Sequence, residues 1–156
     1  MSINTTLEEL YDQDIQDRVL WDSEDISEEE IKKNDEARLE KAQELLEKGE
    51  IDMNEIWNLH YLCLLHMHSW SKEPEVYGKA HEYAKRAVDL GSKVTRWLYA
   101  ASLDKWLVSQ GKLQKYGTQY NMDTGEILPT EQSTSDQDRA EYGVAPIETL
   151  RESHRN

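Results

Sequence analysis

Apolar residues along the first hundred or so positions recur at the spacing of a helix face. Positions 31, 35, 38, 42 and 45 share one stripe, as do 7, 11, 14, 18 and 21, and again 97, 101, 104 and 108. Start signals accompany the stripes. Thr6-Leu7-Glu8-Glu9, Ser27-Glu28-Glu29-Glu30 and Asp52-Met53-Asn54-Glu55 each put a capping oxygen three residues before a carboxylate, so three helices are predicted to begin there. Pro74 suits the first turn of a fourth helix that Gly91 ends, and Ser92 can cap a fifth that runs to Gly111. The fourth and fifth carry small alanines and large aromatics on facing stripes, as paired antiparallel helices do. After Gln114 the pattern breaks. Tyr116 to Asn121 and Glu126 to Leu128 read as two short strands around the turn formers Asp123 and Gly125, then a polar loop leads to a short helix stopped by Gly143 and a last turn or helix from Ala145-Pro146. The fold class is all-α: a compact bundle of about five helices with one small β-hairpin near the C-terminal third. Positions 1–156 form a single domain, in which the segment 115–156 packs on helices within 5–110, because no linker is long enough to divide it.

The stripes contain residues that do not belong on a buried face. The second helix reads Ile31, Asp35, Arg38, Ala42, Leu45, and the first Leu7, Tyr11, Asp14, Arg18, Trp21. Asp104 falls on the inner stripe of the fifth, and His66 lies in the apolar run LHYLCLLHM. A buried charge is costly unless paired, so these groups must meet each other or a ligand. One arrangement is a structural network, with Arg38 or Arg18 bridging Asp35 and Asp104 and His66 a satisfied core histidine. The other is a lined pocket, and so many ionisable groups in one small domain point to it.

Composition narrows the function classes. A net charge of −14 opposes generic nucleic-acid binding, which needs Lys and Arg to neutralise phosphates. Residues 22–50 hold twelve acidic against five basic residues, a solvated helix face, whereas 96–120 hold Arg96, Lys105, Lys112 and Lys115 against Asp104 alone. The lone Cys63 sits in the apolar run and reads as a packed small hydrophobe. No run of about 18 apolar residues is present, and the acidic N-terminus is unlike a signal peptide, so a cytoplasmic protein without membrane attachment is expected. No cofactor and no oligomeric state can be named from the sequence. No metal site is expected either: His66 and His68 point about 200° apart on a helix, His60 is far from both, and HExxH is absent. His66 with Asp35 and Asp104 is the one set that could hold a divalent ion. There is also no GxSxG, P-loop, GxGxxG or CxxC.

Several residues occur in an order that resembles a known family. They are an Asp on the second helix, a His in the apolar third, Leu103-Asp104-Lys105, then Gln114-Lys115-Tyr116-Gly117-Thr118-Gln119, Asp138-Arg139 and Gly143-Val144-Ala145-Pro146. The chain is similar over nearly its whole length to an uncharacterised, mostly bacterial domain family marked by a Gln-x-Tyr-Gly-Thr-Gln segment. The family pattern has Arg where this chain has Lys105, and Gln where it has Leu65; the matching first-helix acid is Asp14 or Asp17. No activity is established for that family, so the resemblance implies a shared site and not a reaction.

Joined to the 114–119 segment, the inward residues define the expected site. Neutral groups of Gln114, Tyr116, Thr118 and Gln119, with Gly117 allowing close approach, orient a small polar ligand alongside Arg18, Arg38 and Arg139. A hydrolase or transferase would use His66 with Asp104 or Asp35 as acid and base. A third class is a protein-interaction module, suggested by the paired helices and by Trp70 and Trp106.

Overall fold

The computed structural model describes residues 2–153; Met1 and residues 154–156 lie outside them. Seven helices are present among the described residues: α1 (Thr5–Asp22), α2 (Glu28–Glu47), α3 (Ile56–Met67), α4 (Pro74–Asp89), α5 (Arg96–Ser109), α6 (Asp136–Glu141) and α7 (Ile147–Ser153). Ser27 caps α2 through its hydroxyl, Pro74 occupies the first turn of α4, and Gly91 and Gly111 follow α4 and α5 with φ of 99° and 73°. Three starts differ from the sequence expectation. α1 is capped by Asn4, whose Oδ1 accepts from Leu7 N, because the Asn4 amide is itself tied to the buried Asn58 at 2.8 Å. Asp52 closes a local turn onto Asn54 N and leaves the start of α3 to Glu55. Ser92 spends its hydroxyl on the Thr95 amide and hydroxyl, one turn before α5 begins.

Apolar burial follows from those helices. α3 packs on α1, α2, α4 and α5, and α4 also packs on α5. Leu7, Ala42, Leu45, Tyr61, Leu62 and Leu65 form one cluster among α1, α2 and α3; Cys63, Met67, Ala80, Ala84, Leu98 and Ala101 form a second among α3, α4 and α5. The alanines let α4 and α5 approach closely, and Gly78 extends this: a Cβ there would stand 3.1 Å from the Trp106 ring. Burial pushes the Cys63 thiol up to about 12, so it is a core residue and not a nucleophile.

The segment after α5 departs most from expectation. In place of a hairpin there are two isolated bridges, Tyr120 with Ile127 antiparallel and Gln114 with Thr130 parallel. The turn between is as the sequence suggests: Asn121 N donates to Glu126 O, and the Asn121 side chain accepts from Asp123 N and Thr124 N. A ladder cannot propagate backwards from it, because the amides of residues 115–118 are all committed to a side chain on α5.

Candidate functional site

That side chain is Asp104. Its carboxylate is fully buried and accepts from the backbone amides of Lys115, Tyr116, Gly117 and Thr118 at 2.7, 2.9, 3.1 and 3.0 Å, and from Thr118 Oγ1 at 2.7 Å. Four successive amides curled round an anion form a nest whose occupant here belongs to the protein. Gly117 makes the curl possible: its φ is 95°, and a Cβ would lie 3.0 Å from Ile147 Cδ1. Gln114, also fully buried, clamps the segment from the other side. Its Nε2 donates to Gln119 O and Leu128 O, and its Oε1 accepts from Gln119 N. Arg139 on α6 donates Nε–H to Tyr116 O and Nη1–H to Thr134 O. The Tyr116 ring packs edge-on against Tyr142 in a core cluster with Ala100 and Val144, and burial raises its phenol pKa. Asp104, Gln114, Tyr116, Gly117 and Arg139 are thus spent on holding one loop in shape.

A second buried cluster joins α1 to α2. Asp35 receives both Nη atoms of Arg18 at 2.6 and 2.8 Å, Arg38 Nη2 at 2.6 Å and the indole N–H of Trp70 at 2.7 Å. Burial alone would raise this carboxyl; the hydrogen bonds from Arg18, Arg38 and Trp70 outweigh it and hold the group below the ordinary carboxylate range. Arg38 also reaches Asp17 at 2.8 Å. Trp70 takes a positive φ of 57° to make its bond, a strained setting for a bulky residue. The bridged network anticipated for Arg18, Arg38 and Asp35 is therefore present, and it excludes Asp104.

Between the two clusters lies a cavity of about 610 Å³. Arg18, Trp21 and Asp22 of α1 line it, with Leu64, Met67, His68 and Trp70 at the end of α3, Tyr77 of α4, Trp97, Leu98 and Lys105 of α5, and residues 118–120 and 122. Its walls are mainly aromatic and aliphatic. Three polar groups on it have unused capacity. Lys105 Nζ meets no hydrogen-bond acceptor or carboxylate among the described residues; its nearest partner is the Tyr77 ring, 5.2 Å from the centroid. Burial first, and the neighbouring Arg18 charge second, lower its pKa to about 8, with Asp35 opposing. The side chain as a whole is only partly buried. Gln119 donates Nε2–H weakly, to Ala101 O at 3.4 Å and Thr118 Oγ1 at 3.2 Å, and its Oε1 receives nothing from the described residues. His68 gives Nδ1–H to Asp14 at 2.8 and 3.0 Å, which leaves Nε2 as an acceptor without a donor among the described residues.

The expected site is divided by this arrangement. Arg18, Thr118 and Gln119 line the cavity, and Asp35 and Asp104 brace it from two sides. His66 is elsewhere: its Nδ1–H donates to Leu62 O at 2.7 Å within α3, its ring meets Tyr83 edge-on, and burial lowers its pKa. Neither Asp35 nor Asp104 touches it. Their carboxylate oxygens are already taken, so the acid–base pairs expected from the sequence do not form. The carboxylate-held histidine on the cavity is His68, two residues later at the C-cap of α3. Its signal was the inward Asp14. Lys105 had one too: it continues the stripe of buried Leu98 and Ala101. Trp70 and Trp106 are partly buried, whereas Trp57 and Trp97 are the exposed tryptophans, and Trp97 stands at the cavity. Among the described residues no group of three or more His, Cys, Asp or Glu could hold a metal, and no helix is long and apolar enough to cross a membrane.

The cavity combines one cation without a counter-ion, an imidazole nitrogen free to accept, an amide oxygen free to accept and aromatic walls, a set suited to orienting a small molecule. No family model, no curated protein and no solved structure matches the chain.

Proposed function

We infer that this chain binds a small polar molecule in the cavity bounded by α1, α3, α4, α5 and residues 118–122. The ligand brings a hydrogen-bond acceptor, a carboxylate or carbonyl oxygen, to Lys105, a donor to Gln119 or His68, and an apolar or aromatic body to Trp70, Trp97 and Tyr77. The observation that carries this reading is the Lys105 ammonium, which belongs to the lining of a half-open cavity and has no hydrogen-bond acceptor among the described residues. A charged donor without a protein acceptor is served only by solvent, and a ligand that supplied a charge-assisted hydrogen bond there would gain from it on binding. The volume lies within the range of small-molecule sites. The Asp104 nest and the Arg18–Asp35–Trp70 cluster support the reading by fixing the loop and the wall that frame the cavity. In this reading the shared site implied by the family resemblance is this cavity, and its Gln-x-Tyr-Gly-Thr-Gln segment serves to present Thr118 and Gln119.

The test is a thermal-shift screen of aromatic and aliphatic carboxylates, aldehydes and ketones on the wild-type protein beside Lys105→Met and Gln119→Ala. A ligand that binds the native state raises Tm by mass action. The expected result is a class of compounds that stabilises the wild type and not Lys105→Met. Stabilisation retained in both variants would place the binding elsewhere.

An acid–base enzyme is the second reading, favoured by the His68–Asp14 pair on the cavity wall. It assigns proton transfer to His68, with Asp14 fixing its tautomer. Once a ligand is known, His68→Gln should leave its affinity largely intact and lower turnover by about 10² or more. Equal losses in affinity and turnover would remove the catalytic role.

A further inference from the structure

We propose that Lys105 captures an aldehyde or ketone as an imine inside this cavity, an assignment that deepens and rests on the binding reading above. Three features of the site support it. First, Lys105 lines the cavity, and its Nζ is not engaged by any carboxylate, hydroxyl or carbonyl of the described residues, so its lone pair is free once the proton is lost. Lys32, Lys41, Lys48, Lys79 and Lys85 are ion-paired at the surface, and Lys115 Nζ, 5.5 Å from the Tyr116 ring centroid, is not among the cavity-lining residues. Second, the surroundings disfavour the ammonium. Arg18 of α1 lines the same cavity and repels the ammonium by charge; Asp35 of α2 is committed to Arg18, Arg38 and Trp70 and Asp14 of α1 to His68, while the cavity-lining Asp22 is exposed at the end of α1 and makes no ion pair with Nζ, and Tyr77 of α4 offers its ring face. A pKa lowered to about 8 agrees with this. Third, His68 lines the same cavity, and an imidazole whose Nδ1 is held by Asp14 can relay protons through Nε2.

The step balances without an added reagent. His68 or solvent takes the ammonium proton; the Nζ lone pair attacks the carbonyl carbon, and the carbonyl π pair moves to oxygen. A proton passes from nitrogen to that oxygen to give a carbinolamine. The hydroxyl leaves as water on receiving a proton, as the remaining nitrogen lone pair forms the C=N bond. The proton taken from the ammonium returns on the leaving hydroxyl, so the sum is ammonium plus carbonyl giving protonated imine plus water. The aromatic walls select a flat or apolar carbonyl compound, and Gln119 selects one that carries a further polar group.

The experiment treats the intact protein at pH 7.5 with 4-formylbenzoate, and separately with glyoxylate, in the presence of cyanoborohydride, and maps adducts by peptide mass spectrometry. 4-(Hydroxymethyl)benzoate, which has the same outline without the carbonyl, is run in the thermal-shift assay alongside. The expected result is modification at Lys105 about tenfold or more faster than at any other lysine, given ordinary lysine pKa values near 10.4, and lost when the chain is unfolded in urea. Lys105→Arg keeps the charge and should melt close to wild type while giving no preferential adduct. If the aldehydes and the alcohol raise Tm but Lys105 is trapped no faster than surface lysines, the imine is overturned and the binding reading stands. If none of the three raises Tm and no preferential adduct forms, both fall.

Discussion

The amide and the hydroxyl of Thr118 both donate to one oxygen of Asp104, Oδ2, at 3.0 and 2.7 Å. Asp104 Oδ1 takes the amides of Lys115 and Tyr116, so the carboxylate is saturated by the loop it organises. Asp104→Ala leaves several buried donors unpaired at once and should cost about 3 kcal/mol or more of stability. Urea unfolding measures the cost, and amide hydrogen exchange at residues 115–118 locates it. Unchanged protection at those amides would show that the nest is not held by Asp104.

Gly117→Ala should destabilise by about 1 to 2 kcal/mol, from the positive φ alone, with a further cost if Ile147 and Leu150 cannot move from the new methyl. The same urea titration reads it. A neutral outcome would mean that the loop tolerates another conformation at this point.

How far the sequence carried the structure can be followed through single residues. The α2 stripe of Ile31, Asp35, Arg38, Ala42 and Leu45 is the buried face of that helix, because helical periodicity alone fixes which positions face inward. Periodicity does not fix partners. It put His66 inward but could not show that the Leu62 carbonyl, four residues back, would occupy its Nδ1–H, nor that His68, rotated away, would meet Asp14 across the helix pair. The Gln114–Gln119 stretch was legible as a special segment. Its role was not, because five donors converging on a carboxylate eleven to fourteen residues away leave no local signature, and the same convergence replaces the expected hairpin by isolated bridges.

Stability should fall steadily as the solution is acidified from pH 7. Burial lowers the pKa of His60, His66 and His81, with hydrogen bonds donated to the carbonyls of Leu62 and Tyr99 opposing at the last two. The unfolded chain therefore binds protons first, and stability declines below about pH 6.5, the ordinary histidine value, until the folded rings also protonate. Asp35 adds to this at lower pH. Its folded pKa lies below the unfolded one, so its contribution is complete above about pH 4 and is lost as pH falls through the depressed folded value. Urea midpoints at pH 7, 5.5 and 4 should descend in that order; a flat series would contradict the assignment of the three histidines as buried neutral bases.

Lys105→Met should raise stability, by about 1 kcal/mol or more, while abolishing ligand-dependent stabilisation. A thioether of similar length fills the space without an unpaired ammonium, and replacing poorly solvated charge by apolar volume is often stabilising. Thermal melts with and without a binding compound read both effects. A large loss of stability would mean that the ammonium has a structural partner.

Lys105 lines the cavity without a counter-ion among the described residues, and its own titration tests that most directly. Carbon-13 NMR of the lysine ε-carbons from pH 6 to 12, with Lys105→Met to assign the signal, should reveal one lysine titrating near 8 while the rest titrate near the ordinary value of about 10.4. Every lysine titrating above 10, with no signal removed from a lower position by Lys105→Met, would contradict the account.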